Sequence, residues 1–278
     1  MNIGIEGIML IGAFSGFSIS YFTGNWLLAL LGTALIGTLV AAFMVIAHLK
    51  YGSNIFIIGN GINLLAIALT KFLLSAMFGV QGSITDPHLN TIPKISIGIL
   101  ERVPALDAMF NNYSLLEVAS IVLVIVVAYM LYRTPWGLRL RSIGLSGMAA
   151  ETAGIRVNRM KFQVLVISGI LAALAGAHLS IGYSSLFAEN MTNGRGFMGV
   201  SAMAFGSGNP ILAAACSLIF GACEAVGARL QIYGFPSQFV LMLPYVITLL
   251  VLSVSVFRRF QREQKQKSSL YKKSAVNT

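Results

Sequence analysis

Charge is scarce in this chain. Asp, Glu, Lys and Arg together make up 10% of its 278 residues, against about 25% in a soluble globular domain. That shortage, with 56% hydrophobic residues gathered into long runs, excludes a soluble enzyme or binding module. Cysteine is nearly absent: Cys216 and Cys223 share one apolar run. Seven positions on a helix separate them by about 10 Å along the axis, beyond the roughly 7 Å Cα limit for a disulfide. The three histidines, His48, His88 and His178, lack ligand spacing, so no metal site is expected. No glycine is followed by lysine, which excludes a P-loop, and no G-x-S-x-G elbow offers a nucleophile. The formal charge of +10 comes from cations at the ends of apolar runs, not interleaved with aromatics, so no nucleic-acid partner is implied. No basic stretch precedes the first apolar run, and a cleaved leader is not expected.

What the chain does have is runs long enough to cross a bilayer core, which takes about 20 apolar residues each. They fall at Ile3–Phe22, Trp26–Ala47, Ile55–Phe78, Ser114–Leu131, Phe162–Tyr183, Pro210–Leu230 and Ser237–Phe257, with a shorter piece at Phe197–Phe205. Trp26 and Trp136 mark span ends, where indoles prefer the interface. The expected fold is an all-α, polytopic transmembrane helical bundle over residues 1–257, followed by a basic tail over 258–278.

The segment from Arg133 to Lys161 carries Arg133, Arg139, Arg141, Arg156, Arg159 and Lys161 against one acid, Glu151. Short loops this basic stay in the cytoplasm. The tail, with seven cations from Arg258 to Lys273, belongs on the same side, and so does Lys50. The loop from Gln81 to Tyr113, with its mixed charge and three prolines, reads as external. Inside the basic segment, Gly147–Gly154 is small and helix-favouring, ends on a glycine and is followed by apolar Ile155. It predicts a short capped helix displayed to a soluble partner. Parity then requires Phe197–Phe205 to return the chain inward, although about nine residues reach only about 14 Å as a helix. This predicts a broken half-helix sheltered by protein. Asn2–Phe14 and Asn193–Phe205 are weakly alike, and by the charge reading they start on opposite sides, as in an inverted repeat.

Small residues at four-residue spacing, Gly12/Gly16, Gly169/Ala173/Ala177 and Gly221/Ala225, predict close helix packing. Polar groups in or beside spans are costly and face a cavity or a partner. Lys71, Glu224 and Arg229 read as snorkelling or pairing near span ends, and His178 as bonding a carbonyl across helices. Glu6, Asn63, Asn193 and Arg195 lie in the broken-helix segments and are the candidates for a substrate pathway, weighed against a purely structural use.

The segment TPWGLRLRSIGLSGMAAETAGIRVNRMKF, then SGILAALAGAHLS, FAENMTNGRGFMGVSAMAFGSGNP and LPYVITLLVL, with NIGIEGIMLIGAF and GNGINLLAIALT, resembles the membrane permease of ATP-binding cassette (ABC) importers for simple sugars and nucleosides. The nearest branch is the one served by basic-membrane-protein-type lipoproteins. The resemblance implies two inverted halves in a multi-pass protein of the bacterial cell membrane, its C-terminus cytoplasmic. It implies a cytoplasmic ABC ATPase as partner, a second and usually different permease, and an extracytoplasmic substrate-binding lipoprotein. No cofactor belongs to this chain on that view; the ATPase uses ATP and Mg. Gly144, Ala149, Ala150, Glu151, Gly154 and Ile155 correspond to the ATPase-coupling segment. Two features depart from the family: the sequence starts at Met1 directly on NIGIEG, so the helix usual before it is either absent or truncated, and Leu145 and Ser146 follow Gly144 where an asparagine is usual. Two other readings stand beside this one. An ion-gradient-driven secondary transporter would also use inverted repeats, and a membrane-embedded lipid-modifying enzyme would use Glu189, Arg195 and His178.

Overall fold

A computed structural model describes residues 2–87, 89–95 and 113–232. The span expected at Ser237–Phe257, the basic tail, His88 and most of the loop expected to be external, 81–113, lie outside the described residues. The elements are α1 Ile5–Thr23, α2 Trp26–Tyr51, α3 Ile55–Phe78, α4 Leu115–Arg133, α5 Pro135–Leu145, α6 Gly147–Thr152, α7 Val157–Ala177 continuing as a π-helical turn His178–Ser184, α8 Arg195–Phe205 and α9 Pro210–Ile232. Six of these, α1 to α4, α7 with its π turn, and α9, are long and apolar enough to cross a membrane. Among the described residues, strand is confined to two short antiparallel ladders, β1 Ser83–Thr85 with β4 Leu186–Ala188, and β2 Lys94–Ile95 with β3 Tyr113–Ser114.

Local chemistry sets the helix starts. Asn25 and Asn54 accept the Leu27 and Phe56 amides at the heads of α2 and α3. Ser114 and Glu117 form a capping box on α4, and Thr134 caps α5 with Pro135 in its first turn, each satisfying amides that have no partner within the helix. The basic segment between α4 and α7, expected as a loop around one short helix, thus holds two helices. Thr134-Pro135 was the sequence signal for the first.

The chain divides into two compact units, residues 1–201 and 202–278. In the first, α1 is the central helix, buried along most of its length, and α2, α3 and α7 surround it. Its neighbours come close because the contact residues are small. A methyl added to Gly12 would strike the Ala173 backbone, and one on Gly176 the Met9 carbonyl. Gly37 and Ala41 of α2 pack against Ala173 and Gly169 of α7 in the same way. The order of these contacts makes α1 parallel to α7, and α2 antiparallel to it. On α2 the large residues Leu31, Leu35, Leu39 and Phe43 face outward at four-residue spacing, while Thr33, Gly37 and Ala41 are buried. Small inside and large outside is how a helix packs when its solvent is lipid.

Larger side chains fill both ends of this bundle. Phe14, Phe17, Leu74, Ile181 and Phe187 form one cluster, with Phe14 edge-on to Phe187 at 5.2 Å. Ile8, Met44, Val45, Ile62 and Leu165 form the other. By contrast, α4 buries no residue. It is fastened at its ends, where Ser114 Oγ lies 3.2 Å from His178 Nδ1, and where Trp136 just beyond it donates to Gln163 at 3.3 Å.

In the second unit, Asn209 caps α9 through the Ile211 amide, and Phe205 meets Phe220 edge-on at 5.9 Å. Gly221, expected to mark close packing, meets nothing among the described residues, unlike its counterparts in α1 and α7.

Candidate functional site: a crossing of helix starts and a basic helical handle

Two places in the first unit gather the polar residues. The first is where α1 and α8 begin. Asn63 is the ninth residue of α3, about 12 Å along its axis, and its side chain turns to the head of α1. Its Oδ1 accepts the Gly7 amide at 2.8 Å and its Nδ2 donates to the Ile3 carbonyl at 3.1 Å. Asn2 ties the same end to Ser168, in the middle of α7, at 3.2 Å. Helix α1 therefore starts inside the bundle and not at its surface. One residue before Gly7, the carboxylate of Glu6 accepts the amides of Gly194 at 2.8 Å and Gly196 at 2.7 Å. Glu6 thus caps α8, setting a negative group on the amino end of its dipole.

The two weakly repeated stretches, NIGIEG and NGRGFMG, are both helix starts at one crossing. Of the four pathway candidates, Glu6 and Asn63 hold these starts in place. Asn193 sits at φ 43° in the turn that enters α8, and Arg195 donates to the Met191 carbonyl at 3.2 Å. Thr192 in the same turn is fully buried, and its hydroxyl has no hydrogen-bond partner among the described residues. Helix α8, at eleven residues, is a half-length helix of about 16 Å.

The polar residues read otherwise from sequence find distinct partners. Lys71 pairs with Glu189 at 3.3 Å. The Gly82 amide donates to Glu189 at 2.9 Å, and this bond, helped by Lys71, holds the Glu189 carboxyl below its usual range. Contrary to expectation, the His178 ring bonds no carbonyl among the described residues. It lies between the hydroxyl of Ser114 and the carboxylate of Glu117, whose Oε1 is 3.4 Å from Nε2. Ser, His and Glu here form a structural clasp, because Ser114 is 1% exposed and already caps α4. Glu189, His178 and Arg195 each serve a different contact, so the set required by a lipid-modifying enzyme is not assembled.

The second place is the basic end of the bundle, where Lys50 and Arg133 close α2 and α4 and Arg156 and Arg159 open α7. Between them α6 is capped by Ser146 through the Ala149 amide. It ends in a Schellman motif, in which the Gly154 amide donates to the Glu151 carbonyl at 2.9 Å and that of Ile155 to Ala150 at 3.0 Å. Gly154 has φ +80°, a conformation glycine adopts without strain. Of the coupling residues expected from sequence, Ala149, Ala150, Glu151, Gly154 and Ile155 fall on this turn of helix and its cap, and Gly144 on the last turn of α5. Ala150 is packed inward at 4% exposed. Two residues outside that set stand out instead: Leu145 is 90% and Met148 80% exposed. A bare leucine and methionine on a basic surface were visible in the sequence as the only large apolar side chains between Ile143 and Ile155.

Residues 1–252 match the family described as branched-chain amino acid transport system / permease component. The chain belongs to that family. This permease is a multi-pass membrane protein and not an enzyme in its own right. It is similar to the nucleoside ABC transporter permease protein NupC of Lactococcus lactis subsp. cremoris, with 36% identity over 267 residues covering 91% of this chain and 83% of that protein. It is 31% identical to the guanosine ABC transporter permease protein NupQ of Bacillus subtilis, over 91% of this chain and 82% of that one. A second protein of the Lactococcus strain, the nucleoside ABC transporter permease protein NupB, is 26% identical over 86% of the permease and 68% of its own length. No solved structure matches the permease.

Proposed function

We propose that this chain is the membrane-spanning permease subunit of an ATP-driven ABC importer for nucleosides or simple sugars, in the cytoplasmic membrane of a bacterium. The single observation that carries the reading is the handle on the basic end: a short helix closed at both ends, with Leu145 and Met148 bare. Two large apolar side chains left in water at the tip of a rigid turn call for a partner groove. Kinship to nucleoside permeases supports the substrate class, and the two Lactococcus relatives support a partner permease of a different sequence. A cytoplasmic ATPase, using ATP and Mg, grips α6. An external lipoprotein delivers substrate to the opposite end, where the β1–β4 ladder lies. The basic end, and with it the C-terminus, faces the cytosol.

In this account the substrate path runs by the crossing of α1 and α8. Two helix starts, held by one carboxylate and one amide, can move as units when the handle is pulled. Glu6, Asn63, Asn193 and Arg195 form its frame, and Thr192 is the polar group there with unused bonding capacity.

The test is uptake of labelled nucleoside by cells carrying the variant L145D/M148D. Losing two such anchors costs about 2 kcal/mol or more each when they are interface hot spots. Uptake should fall at least about thirtyfold, with the permease still in the membrane and no longer pulling down its ATPase. Undiminished uptake would refute the role given to the handle, and uptake abolished by an ionophore but insensitive to ATP depletion would favour an ion-driven carrier.

A further inference from the structure

The three arginines behind the handle have no role in that account. Helix α5, the end of α6 and the first turns of α7 enclose a cavity of about 460 Å³ lined by Trp136, Arg139, Arg156, Arg159, Met160 and Gln163 among others. The Lys71–Glu189 and His178–Glu117 pairs involve none of the three arginines, and no carboxylate is among the residues that line the hollow, so three positive charges converge on it. Like charges brought together repel unless an anion joins them. No side chain caps the head of α7, and the amides there add to the same positive field.

The position of the hollow identifies the anion. Arg159, Met160 and Gln163 belong to the first two turns of a helix long enough to span the membrane, and Met160 is 8% exposed. Trp136, an interfacial residue type, closes one wall by donating to Gln163 at 3.3 Å. Beside it α4 ends, with no residue buried, and Leu138 on α5 is 62% exposed. The hollow thus lies at headgroup depth, at the end of helices whose sides are apolar and bare. A soluble acidic partner would have to enter the interface to reach Gln163, whereas a lipid phosphate is already there.

We propose that this cavity binds the phosphodiester headgroup of an anionic phospholipid, which bridges Arg139 on α5 to Arg156 and Arg159 at the head of α7. Because the bridge crosses the turn at Gly154 that closes α6, a bound lipid fixes the handle against the spans. The membrane's anionic lipid content then sets how firmly the ATPase stroke is transmitted.

The experiment measures thermal unfolding of the full-length permease in a neutral detergent, titrated with phosphatidylglycerol, phosphatidylcholine or inorganic phosphate. Phosphatidylglycerol should raise the midpoint, and the other two should not. In R139Q/R156Q/R159Q the protection should vanish, and in R159Q alone, which spares the fold if the triple variant does not assemble, the apparent affinity should fall roughly fivefold. The variant R133Q/R141Q, which removes two cations outside the cavity, should keep wild-type affinity. Equal protection in wild type and R159Q would overturn the site. Equal loss in R133Q/R141Q would reduce it to a diffuse basic field, and phosphate acting as well as the lipid would overturn the headgroup assignment.

Discussion

At the scale of residues, the decisive contacts are those made by two polar side chains inside an apolar bundle. Glu6 satisfies two amides at the head of α8, those of Gly194 and Gly196, and each would be orphaned in a protein interior without it. Substituting E6Q leaves one acceptor oxygen for two donors, so one buried amide loses its partner, a cost of about 1–3 kcal/mol. The purified variant should unfold at lower temperature while retaining the helical content of its spans, and E6A should be worse than E6Q. A stability equal to wild type in E6A would contradict the capping role. Gly176 tests the packing. A methyl there would overlap the Met9 carbonyl, which is backbone and cannot swing aside. G176V should cost at least the 1–3 kcal/mol of ordinary overpacking, visible as loss of folded protein in the membrane, whereas G221A should be silent because nothing described approaches that position.

At the scale of elements, the turn beside the β1–β4 ladder is held by charge and the basic handle by caps. The Glu189 carboxyl titrates below its usual range, chiefly through the bond from the Gly82 amide. A depressed acid contributes its stabilisation above the pKa of the unfolded chain and loses it as pH falls through the folded value. Protection factors for hydrogen exchange, which remove the intrinsic pH dependence of the amides, should therefore be constant in residues 81–87 and 186–189 from neutral pH down to the ordinary carboxylate range and fall below it, and in E189Q they should be low throughout. Protection that persists in acid would remove Glu189 from that role. These elements also show how far the sequence is legible. The boundaries of α3, the half-length α8 and the closing Gly154 follow directly from hydropathy, parity and the αL habit of glycine. Helix α5 is polar enough to pass for loop, and only the Thr134-Pro135 pair announces it. The partner of Glu6 is 188 residues away, and no local pattern says which amides it caps. The weak repeat pointed to the right two segments without saying that they meet. For the same reason Ala149 and Ala150 look equivalent in sequence, while burial separates them and passes the exposed role to Met148 and Leu145.

At the scale of the whole molecule, small residues join α1, α2 and α7 into one block, polar clasps fasten α4 at its ends, and Lys50, Arg133, Arg156 and Arg159 gather with the handle at one end of the first unit. Everything proposed about import depends on that end facing the cytosol. The most direct measurement places a single cysteine at Met148, with Cys216 and Cys223 replaced by serine, and labels it with a membrane-impermeant maleimide. The account predicts labelling in inside-out vesicles and none in intact cells, with the inside-out signal suppressed when the ATPase is bound. Labelling of Met148→Cys in intact cells would put the handle on the wrong side of the membrane and contradict the account.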